Sequence, residues 1–404
     1  MNKIRTYIGT IAMLVLTAAC YNNATDTDGR ESHVSFFVNE ERDSLFASAT
    51  NYSDSIAIKY AKGIKVEYTD SGTINVVISH PQNKVSSRPV RLVLRKSSKG
   101  TTCLCEEKFS EDHTHLSIPI KGAIGMTALQ LSNFTAIGTE DKIVGITSLR
   151  HLFNPKIKKQ TEEGHTFRIG MEGTFDVEKV LAASPDIIFT SESKHGGFEQ
   201  LKDCGIPLIP HHGYSETDPL GQAEWIKLTG LLCGEERRAN AVFADIERKY
   251  HALKDIVRQK AKHRPTVLSG RELRNGWYVV GGNSYMAHIF ADAGADYFLK
   301  DNDKSGGLTL DFESVYAQAM NIEFWQTDGS FDGEYSRSIL LEEDPRYGDL
   351  RAFKEKKVIY CNLAQCPYRE LSPVEPHYLL ADFVKAFHPE ILPYYTPRYY
   401  RIIE

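Results

Sequence analysis

Hydrophobic and polar residues alternate along three short stretches near the start of the chain. IKVEY, TINVVIS and RLVLR all lie within residues 56–100, and turn-forming residues separate them. An alternation with a period of two is typical of strands that bury one face and expose the other. We therefore predict a group of antiparallel strands, which forms a strand-rich extension over residues 56–115.

From about residue 116 the pattern changes to short apolar runs that alternate with amphipathic stretches. IVGI (143–146) and DIIFT (186–190) are two such runs, and the alternation resumes after residue 265 with runs such as WYVVGG (277–282). Strands that alternate with helices are typical of βαβ units and a mostly parallel sheet. The pattern predicts an α/β fold with two Rossmann-like lobes, each built on a central parallel sheet.

The longest helical stretch of the sequence lies between these two α/β regions. It covers residues 218–262, is interrupted once near Gly234, and ends before Pro265. Its apolar residues recur with helical spacing, and a helix of this length spans about 40 Å. We expect it to join the lobes, which gives an N-terminal lobe at 56–217, a connecting helical segment at 218–262 and a C-terminal lobe at 263–404.

One motif occurs twice, once in each predicted lobe. DVEKVLA (176–182) returns as DFESVYA (311–317), and each copy is followed by an Ile-x-Phe strand. We expect the Asp to cap a helix, the Glu to lie in its first turn, and the Val and Ala to face the sheet. The repeat supports two similar lobes.

The first twenty residues indicate export. Lys3 and Arg5 precede an apolar stretch that ends at Leu16, and small residues then lead to Cys20. This order is typical of a secretory signal peptide. It resembles a bacterial lipoprotein signal, in which Cys20 would be lipidated, although Leu16 lies one place earlier than usual. An ordinary signal peptide is the alternative. We assign residues 1–19 to the signal peptide and 20–55 to a tether.

Composition and motifs exclude several classes of function. The 404 residues are 41% hydrophobic and 25% charged, which is typical of a globular protein with more than one domain. A net charge of −5 argues against nucleic-acid binding. The sequence contains no GxGxxG, GxxxxGK[ST], GxSxG or HExxH motif, so we expect neither an enzyme nor a bound cofactor.

The histidines and cysteines do not form a recognisable metal site. The sequence has adjacent histidines at 211–212 but no matched set of ligands, and no zinc-type cysteine pairs. Of the seven cysteines, Cys361 and Cys366 are the first candidates for a disulfide, with scattered unpaired cysteines as the alternative.

Several phrases over residues 56–404 resemble class III solute-binding proteins of ABC importers. They include AIGTEDKIVGI (136–146), GTFDVEKVLAASPDIIFTS (173–191) and LLADFVKAFHPEILP (379–393), and some look like versions from Bacteroidetes lipoproteins. The family delivers cobalamin, ferric siderophores or haem. The resemblance implies a cleft between two lobes around a rigid helix. It also implies that Glu178 and Glu313 dock onto arginines of the permease; the alternative is that they only complement helix dipoles.

The same resemblance implies the partners and the location of the protein. We expect ABC permease and ATPase subunits in the inner membrane as partners, and a monomeric, periplasmic protein anchored to a membrane through lipid at Cys20. The sequence does not say which membrane carries the anchor, and it does not choose among ferric siderophore, haem and cobalamin. A metal-chelatase-like enzyme and a surface lipoprotein that holds haem are the alternatives on the same fold.

Loops that follow the predicted strands supply the candidate ligand contacts, because ligands of α/β sheets bind beyond the carboxyl ends of the strands. These loops mix aromatic, arginine and hydroxyl residues, as large flat ligands require. Trp277 is the leading aromatic candidate, with core packing as its alternative. A histidine or tyrosine could also serve as an axial ligand to haem iron. The candidates are Arg150, His151, His212, Tyr214, Arg271, Trp277, Tyr278 and Tyr368.

Overall fold

The computed structural model describes most of the chain from residue 42 onward, and Asn39–Glu404 forms one compact unit. The predicted signal peptide, Cys20 and most of the predicted tether lie outside the described residues. Part of the predicted tether lies in a helix, α1, which covers Arg42–Ser48. The described residues are 42–82, 88–97, 113–150, 152–171, 174–191, 198–273 and 276–404.

The strand-rich extension forms a four-stranded sheet with one buried face. Its first three strands are antiparallel, as predicted, and a fourth joins parallel to the third. Buried and partly exposed residues alternate along its second strand, so that Val76 and Ile78 join a hydrophobic cluster with Trp225. The strands are β1 (Ile64–Tyr68), β2 (Thr73–Ile78), β3 (Val90–Lys96) and β4 (Thr114–Ile118).

The first lobe is built on a five-stranded parallel sheet. The strand order is β11-β10-β5-β6-β7, and the helices between the strands cover its faces. The elements are β5 (Ala123–Gly125), α2 (Ala128–Ile137), β6 (Ile143–Ile146), α3 (Pro155–Glu162), β7 (Phe167–Arg168), β8 (Gly170–Met171), β9 (Thr174–Phe175), α4 (Val177–Ala183), β10 (Ile187–Thr190), α5 (Phe198–Lys202) and β11 (Leu208–Pro210).

Three helices follow: α6 (Pro219–Ala223), α7 (Ile226–Cys233) and α8 (Glu236–Lys260). Gly234, at φ 73°, ends α7 at the predicted interruption. The buried carboxylate of Glu224 accepts hydrogen bonds from the backbone N–H groups of Lys59, Tyr60 and Ala61. These bonds fix the segment before β1 to the helical region.

The second lobe contains a second, mostly parallel sheet in the order β15-β12-β17-β18-β19, in which only β19 is antiparallel. Together with the first sheet, it confirms the predicted fold class of two Rossmann-like lobes. Its elements are β12 (Thr266–Ser269), β13 (Arg271–Leu273), β14 (Gly276–Val280), α9 (Tyr285–Asp292), β15 (Asp296–Tyr297), β16 (Gly307–Leu310), α10 (Phe312–Ala319), β17 (Phe324–Gly329), α11 (Arg337–Glu343), α12 (Arg351–Lys354), β18 (Val358–Asn362), α13 (Tyr368–Leu371), α14 (Pro376–Phe387) and β19 (Arg401–Ile402).

The WYVVGG run does not join the parallel sheet. It forms β14, which pairs antiparallel with β13 and β16 in a separate three-stranded sheet. The turn between β12 and β13 needs Gly270, whose φ is +77° and whose added Cβ would meet the backbone carbonyl of Tyr278. β13 and β14 pair as antiparallel strands where the sequence pattern predicts a βα unit.

Candidate ligand-binding cleft

Two adjoining cavities lie at the carboxyl ends of the strands of both lobes. The larger has a volume of about 640 Å³ and is lined by residues such as Gly329 at the end of β17. The smaller, of about 460 Å³, is lined by residues such as Gly125 at the end of β5. Tyr368, Arg369 and Ser372 line both. We call the two cavities together the cleft; its size is that of a small-molecule site.

Tyrosines form a large part of the cleft wall. Tyr214 and Tyr278 are about 40% exposed, whereas Tyr400 is only 1% exposed. Burial raises the pKa of Tyr285, Tyr368 and Tyr400, so these phenols stay neutral at ordinary pH. All five tyrosines line the larger cavity. They offer aromatic faces and hydroxyl groups to a ligand.

Charged groups meet at the floor of the larger cavity. Asp328, next to the end of β17, is near Arg271 and Arg369. Burial raises the pKa of the Asp328 carboxyl, and the two guanidinium groups oppose that shift. Arg271 is also paired with Glu343, at 3.1 Å between Nη1 and Oε2. Arg369 is exposed and is available to an anionic group of a ligand.

The smaller cavity opens onto the N-terminus of α2. Thr127 and Gln130 form a capping box there, in which the Thr127 hydroxyl accepts a hydrogen bond from the Gln130 backbone N–H. Arg150 is exposed on the same wall, with Thr147 and Ser148 beside it. A helix N-terminus, an arginine and two hydroxyl groups together favour an anionic or strongly polar part of a ligand.

The buried carboxylate of Asp382 positions Tyr400 at the cleft. Asp382 on α14 accepts hydrogen bonds from the backbone N–H groups of Arg398 and Tyr400, at 2.8 and 2.9 Å, and from the Tyr395 hydroxyl. Burial raises the Asp382 pKa to about 6. These bonds anchor the C-terminal segment of the chain against α14, so that the Tyr400 ring reaches a cavity formed mainly by loops earlier in the sequence.

The structure places five of the predicted ligand contacts on the cleft wall. They are Arg150, Tyr214, Arg271, Tyr278 and Tyr368. Each belongs to a loop or a short element near the carboxyl end of a strand, which is the position that guided the prediction. Their role in binding stays a prediction. His151 lies outside the described residues.

Two predicted contacts, Trp277 and His212, need correction. Trp277 is fully buried; its Nε1 donates to the Ser269 carbonyl at 3.1 Å, and its ring packs against Trp325. His212 is 2% exposed and packs against Trp225. As far as the described residues define the cleft, neither side chain lines it. Both residues were predicted from their place in the chain, but their side chains point into the core.

Sequence reasoning missed several residues of the cleft. Arg369 directly follows the predicted Tyr368, and its position after β18 could have identified it. Tyr285 begins α9, and Tyr400 is brought in by the C-terminal segment. No local pattern marks these two, because tertiary packing brings them to the cleft.

The repeated motif forms equivalent helix starts in the two lobes. Asp176 accepts a hydrogen bond from Lys179 N at 3.1 Å, and Asp311 accepts one from Ser314 N at 2.9 Å, so both cap their helices as predicted. Val180 and Val315 are fully buried, also as predicted.

Glu178 and Glu313 are both exposed in the first turns of α4 and α10. One detail of the motif is different from the prediction: Ala182 and Ala317 are exposed, and the alanines that face the core are Ala183 and Ala319. The buried face of each helix therefore differs from the predicted one, and the two glutamates lie on the exposed face.

In the described part of the chain, no helix is both long and apolar enough to cross a bilayer. Within the same residues, no group of three or more His, Cys, Asp or Glu side chains is arranged to hold a metal ion.

The match to a protein family covers much of the cleft wall. The family described as "Periplasmic binding protein" matches residues 127–363, which is more than half of the chain. The chain belongs to the periplasmic binding protein family. The matched region of this periplasmic binding protein begins at the capping threonine of α2 and ends at Leu363, and both residues line the cleft.

One relative and two solved structures are similar to large parts of this chain. An uncharacterised lipoprotein of Methanocaldococcus jannaschii is 24% identical over 349 residues, with 82% of each chain covered. A periplasmic haem-binding protein from Pseudomonas aeruginosa has a TM-score of 0.54 and 22% identity, covering 67% of this chain and 93% of that chain. The molybdate periplasmic binding protein of a Haemophilus influenzae ABC transporter has a TM-score of 0.52 and 15% identity, covering 68% and 88%. These two structures show only that the fold is similar.

Proposed function

We propose that this periplasmic binding protein serves an ABC importer and captures an iron chelate, either a ferric siderophore or haem, or cobalamin in its cleft. The observation that carries the proposal is the composition of the cleft wall. Five tyrosines and the three arginines at 150, 271 and 369 surround the cavities within the described residues. Aromatic faces suit large flat ligands, and guanidinium groups suit carboxylates.

The solved structures of similar fold support the binding of a solute but do not identify which solute this chain binds. One solved structure of similar fold is named as haem-binding and another as molybdate-binding, so the fold accepts chemically different ligands. The cleft of this chain has a volume far above that of a small oxyanion and offers several aromatic faces. We therefore favour a large chelate with anionic groups over a bare oxyanion.

Delivery to a permease completes the proposal. Glu178 and Glu313 are exposed at equivalent helix starts of the two lobes, as two docking carboxylates require. Lipid at Cys20 would hold the protein at a membrane surface in the periplasm, and the likeness to a lipoprotein supports this anchor. Docking would then bring the loaded cleft to the permease, and the ATPase subunits would drive import.

Calorimetric titration of the protein with haemin, cyanocobalamin and a set of ferric siderophores tests the proposal. All three tryptophans are fully buried, so a ligand cannot reach their rings directly and calorimetry is preferable to fluorescence. We expect saturable binding of one ligand with a Kd below about 1 μM. The test variant is Arg369→Ala in the cleft. Its matched control is Arg258→Ala, at an exposed position of α8. The proposal fails if no ligand of the panel binds, or if both variants bind as the wild type does.

A further inference from the structure

Two cysteines lie in contact immediately behind the cleft. Cys361, near the end of β18, and Cys366, in the following turn, have their Sγ atoms 3.3 Å apart. Backbone hydrogen bonds from Gln365 N and Cys366 N to the Asn362 carbonyl, at 3.0 and 3.1 Å, hold the turn. Both side chains are unbonded thiols in this structure. A disulfide bond is about 2.05 Å long, so the two sulfur atoms need to approach by only about 1.2 Å.

The two thiols differ in access to solvent. Cys361 is fully buried, whereas Cys366 is partly exposed. The Cys361 thiol donates a hydrogen bond that lowers the pKa of Cys366, and the backbone N–H of Tyr368 acts in the same direction. Cys366 is therefore the thiol that a reagent in solution reaches first, and Cys361 is positioned to resolve the product.

We propose that Cys361 and Cys366 form a reversible disulfide that adjusts the cleft. The oxidant is a low-molecular-weight or protein disulfide. The Cys366 thiolate attacks one of its sulfur atoms, which forms a mixed disulfide and releases one thiolate. Cys361 then loses its proton, attacks the Cys366 sulfur and releases the second thiolate. The protein dithiol loses two electrons and two protons, and the reagent disulfide is reduced to two thiols.

The position of the pair in the fold connects it to the ligand site. Cys361 is held in β18 between β17 and β19, so bond formation must move Cys366. Cys366 is followed closely by Tyr368 and Arg369, which line both cavities, and Leu363 within the same turn lines the larger one. A shift of about 1 Å in this segment changes the cleft wall. This effect on the ligand rests on the proposed function; the disulfide does not.

Peptide mapping tests the disulfide without any ligand. Trypsin cleavage after Lys357 and Arg369 releases both cysteines in one peptide, VIYCNLAQCPYR. After incubation with oxidised glutathione, we expect this peptide to be lighter by two hydrogen atoms and resistant to iodoacetamide; after incubation with reduced glutathione, we expect two alkylated cysteines. Cys366→Ser should abolish the light form, and Cys204→Ser, a control at another partly exposed cysteine, should keep it. Two alkylated cysteines under both conditions would overturn the proposal.

Two further measurements test the coupling to the cleft. Hydrogen–deuterium exchange of residues 363–371 should differ between the oxidised and reduced wild type and should not differ in Cys366→Ser. The Kd of the ligand identified by calorimetry should differ between the two redox states by about fivefold or more, again only in the wild type. If the light peptide forms while exchange and affinity stay the same, the disulfide exists and the coupling is wrong.

Discussion

The carboxylate of Glu370 in the second lobe holds the backbone of Asn154 in the first lobe. One oxygen lies 3.1 Å from Asn154 N, and the other accepts from the N–H of Phe153 at 2.5 Å. Glu370 is 1% exposed, and burial raises its pKa while the two N–H donors oppose the shift. Because Tyr368 and Arg369 immediately precede it, this contact joins the lobes directly beside the cleft.

Glu370→Ala should lower the free energy of unfolding by about 1–3 kcal/mol, because it leaves two partly buried N–H groups without this acceptor. Urea unfolding measures the change. The control Glu163→Ala, at an exposed position after α3, should leave stability within about 0.5 kcal/mol of the wild type. Equal stability of the two variants would show that the contact between the lobes contributes nothing to the fold.

Arg369→Ala should weaken binding of an anionic chelate without affecting the fold. A hydrogen bond to a charged group contributes roughly 1.5–3 kcal/mol, so the Kd should rise by about 10- to 150-fold. Calorimetry at two salt concentrations measures the affinity, and the variant should also show a weaker salt dependence than the wild type. An unchanged Kd would mean that the ligand does not reach the shared wall of the two cavities.

Replacing both Glu178 and Glu313 with alanine should abolish transport and leave ligand affinity within about threefold of the wild type, because both side chains are exposed and outside the cleft. Uptake by proteoliposomes that contain the cognate permease and ATPase measures transport. The matched control replaces Glu163 and Glu199, which are also exposed. A large loss of affinity in the first variant, or a loss of transport in the control, would contradict the docking role.

Local sequence signals predicted the elements whose structure is decided locally. IVGI is a strand with the predicted bounds, because a short apolar run between turns is typical of a buried strand in a parallel sheet. The interruption at Gly234 was also predictable, since a glycine with positive φ ends a helix. These features gave the α/β class and the two lobes without any tertiary information.

The remaining features depend on contacts that are distant in sequence. β14 is apolar like the parallel strands, and only its antiparallel pairing with β13 and β16 distinguishes it. Trp277 faces the core for the same reason, because the hairpin turns its ring toward Trp325. Tyr400 reaches the cleft through hydrogen bonds to Asp382, 18 residues earlier. No local sequence pattern marks such a contact. The sequence therefore predicted which loops form the cleft better than it predicted which side chains line it.

His211 should make the protein less stable in acid. Its ring is 2% exposed, its Nδ1 accepts from Gly213 N at 3.3 Å, and burial lowers its pKa to about 3 from an ordinary value of 6.5. Well above pH 6.5 the ring is neutral in both the folded and the unfolded chain, so its protonation does not change the stability. As the pH falls toward 3, only the unfolded chain binds the proton, so stability decreases by at most about 1.4 kcal/mol per pH unit from this group.

Urea unfolding at pH 7, 6, 5 and 4 should therefore show a smaller decrease for His211→Gln than for the wild type, while His165→Gln, at an exposed position, should follow the wild type. The same decrease in all three proteins would show that another group controls the acid sensitivity.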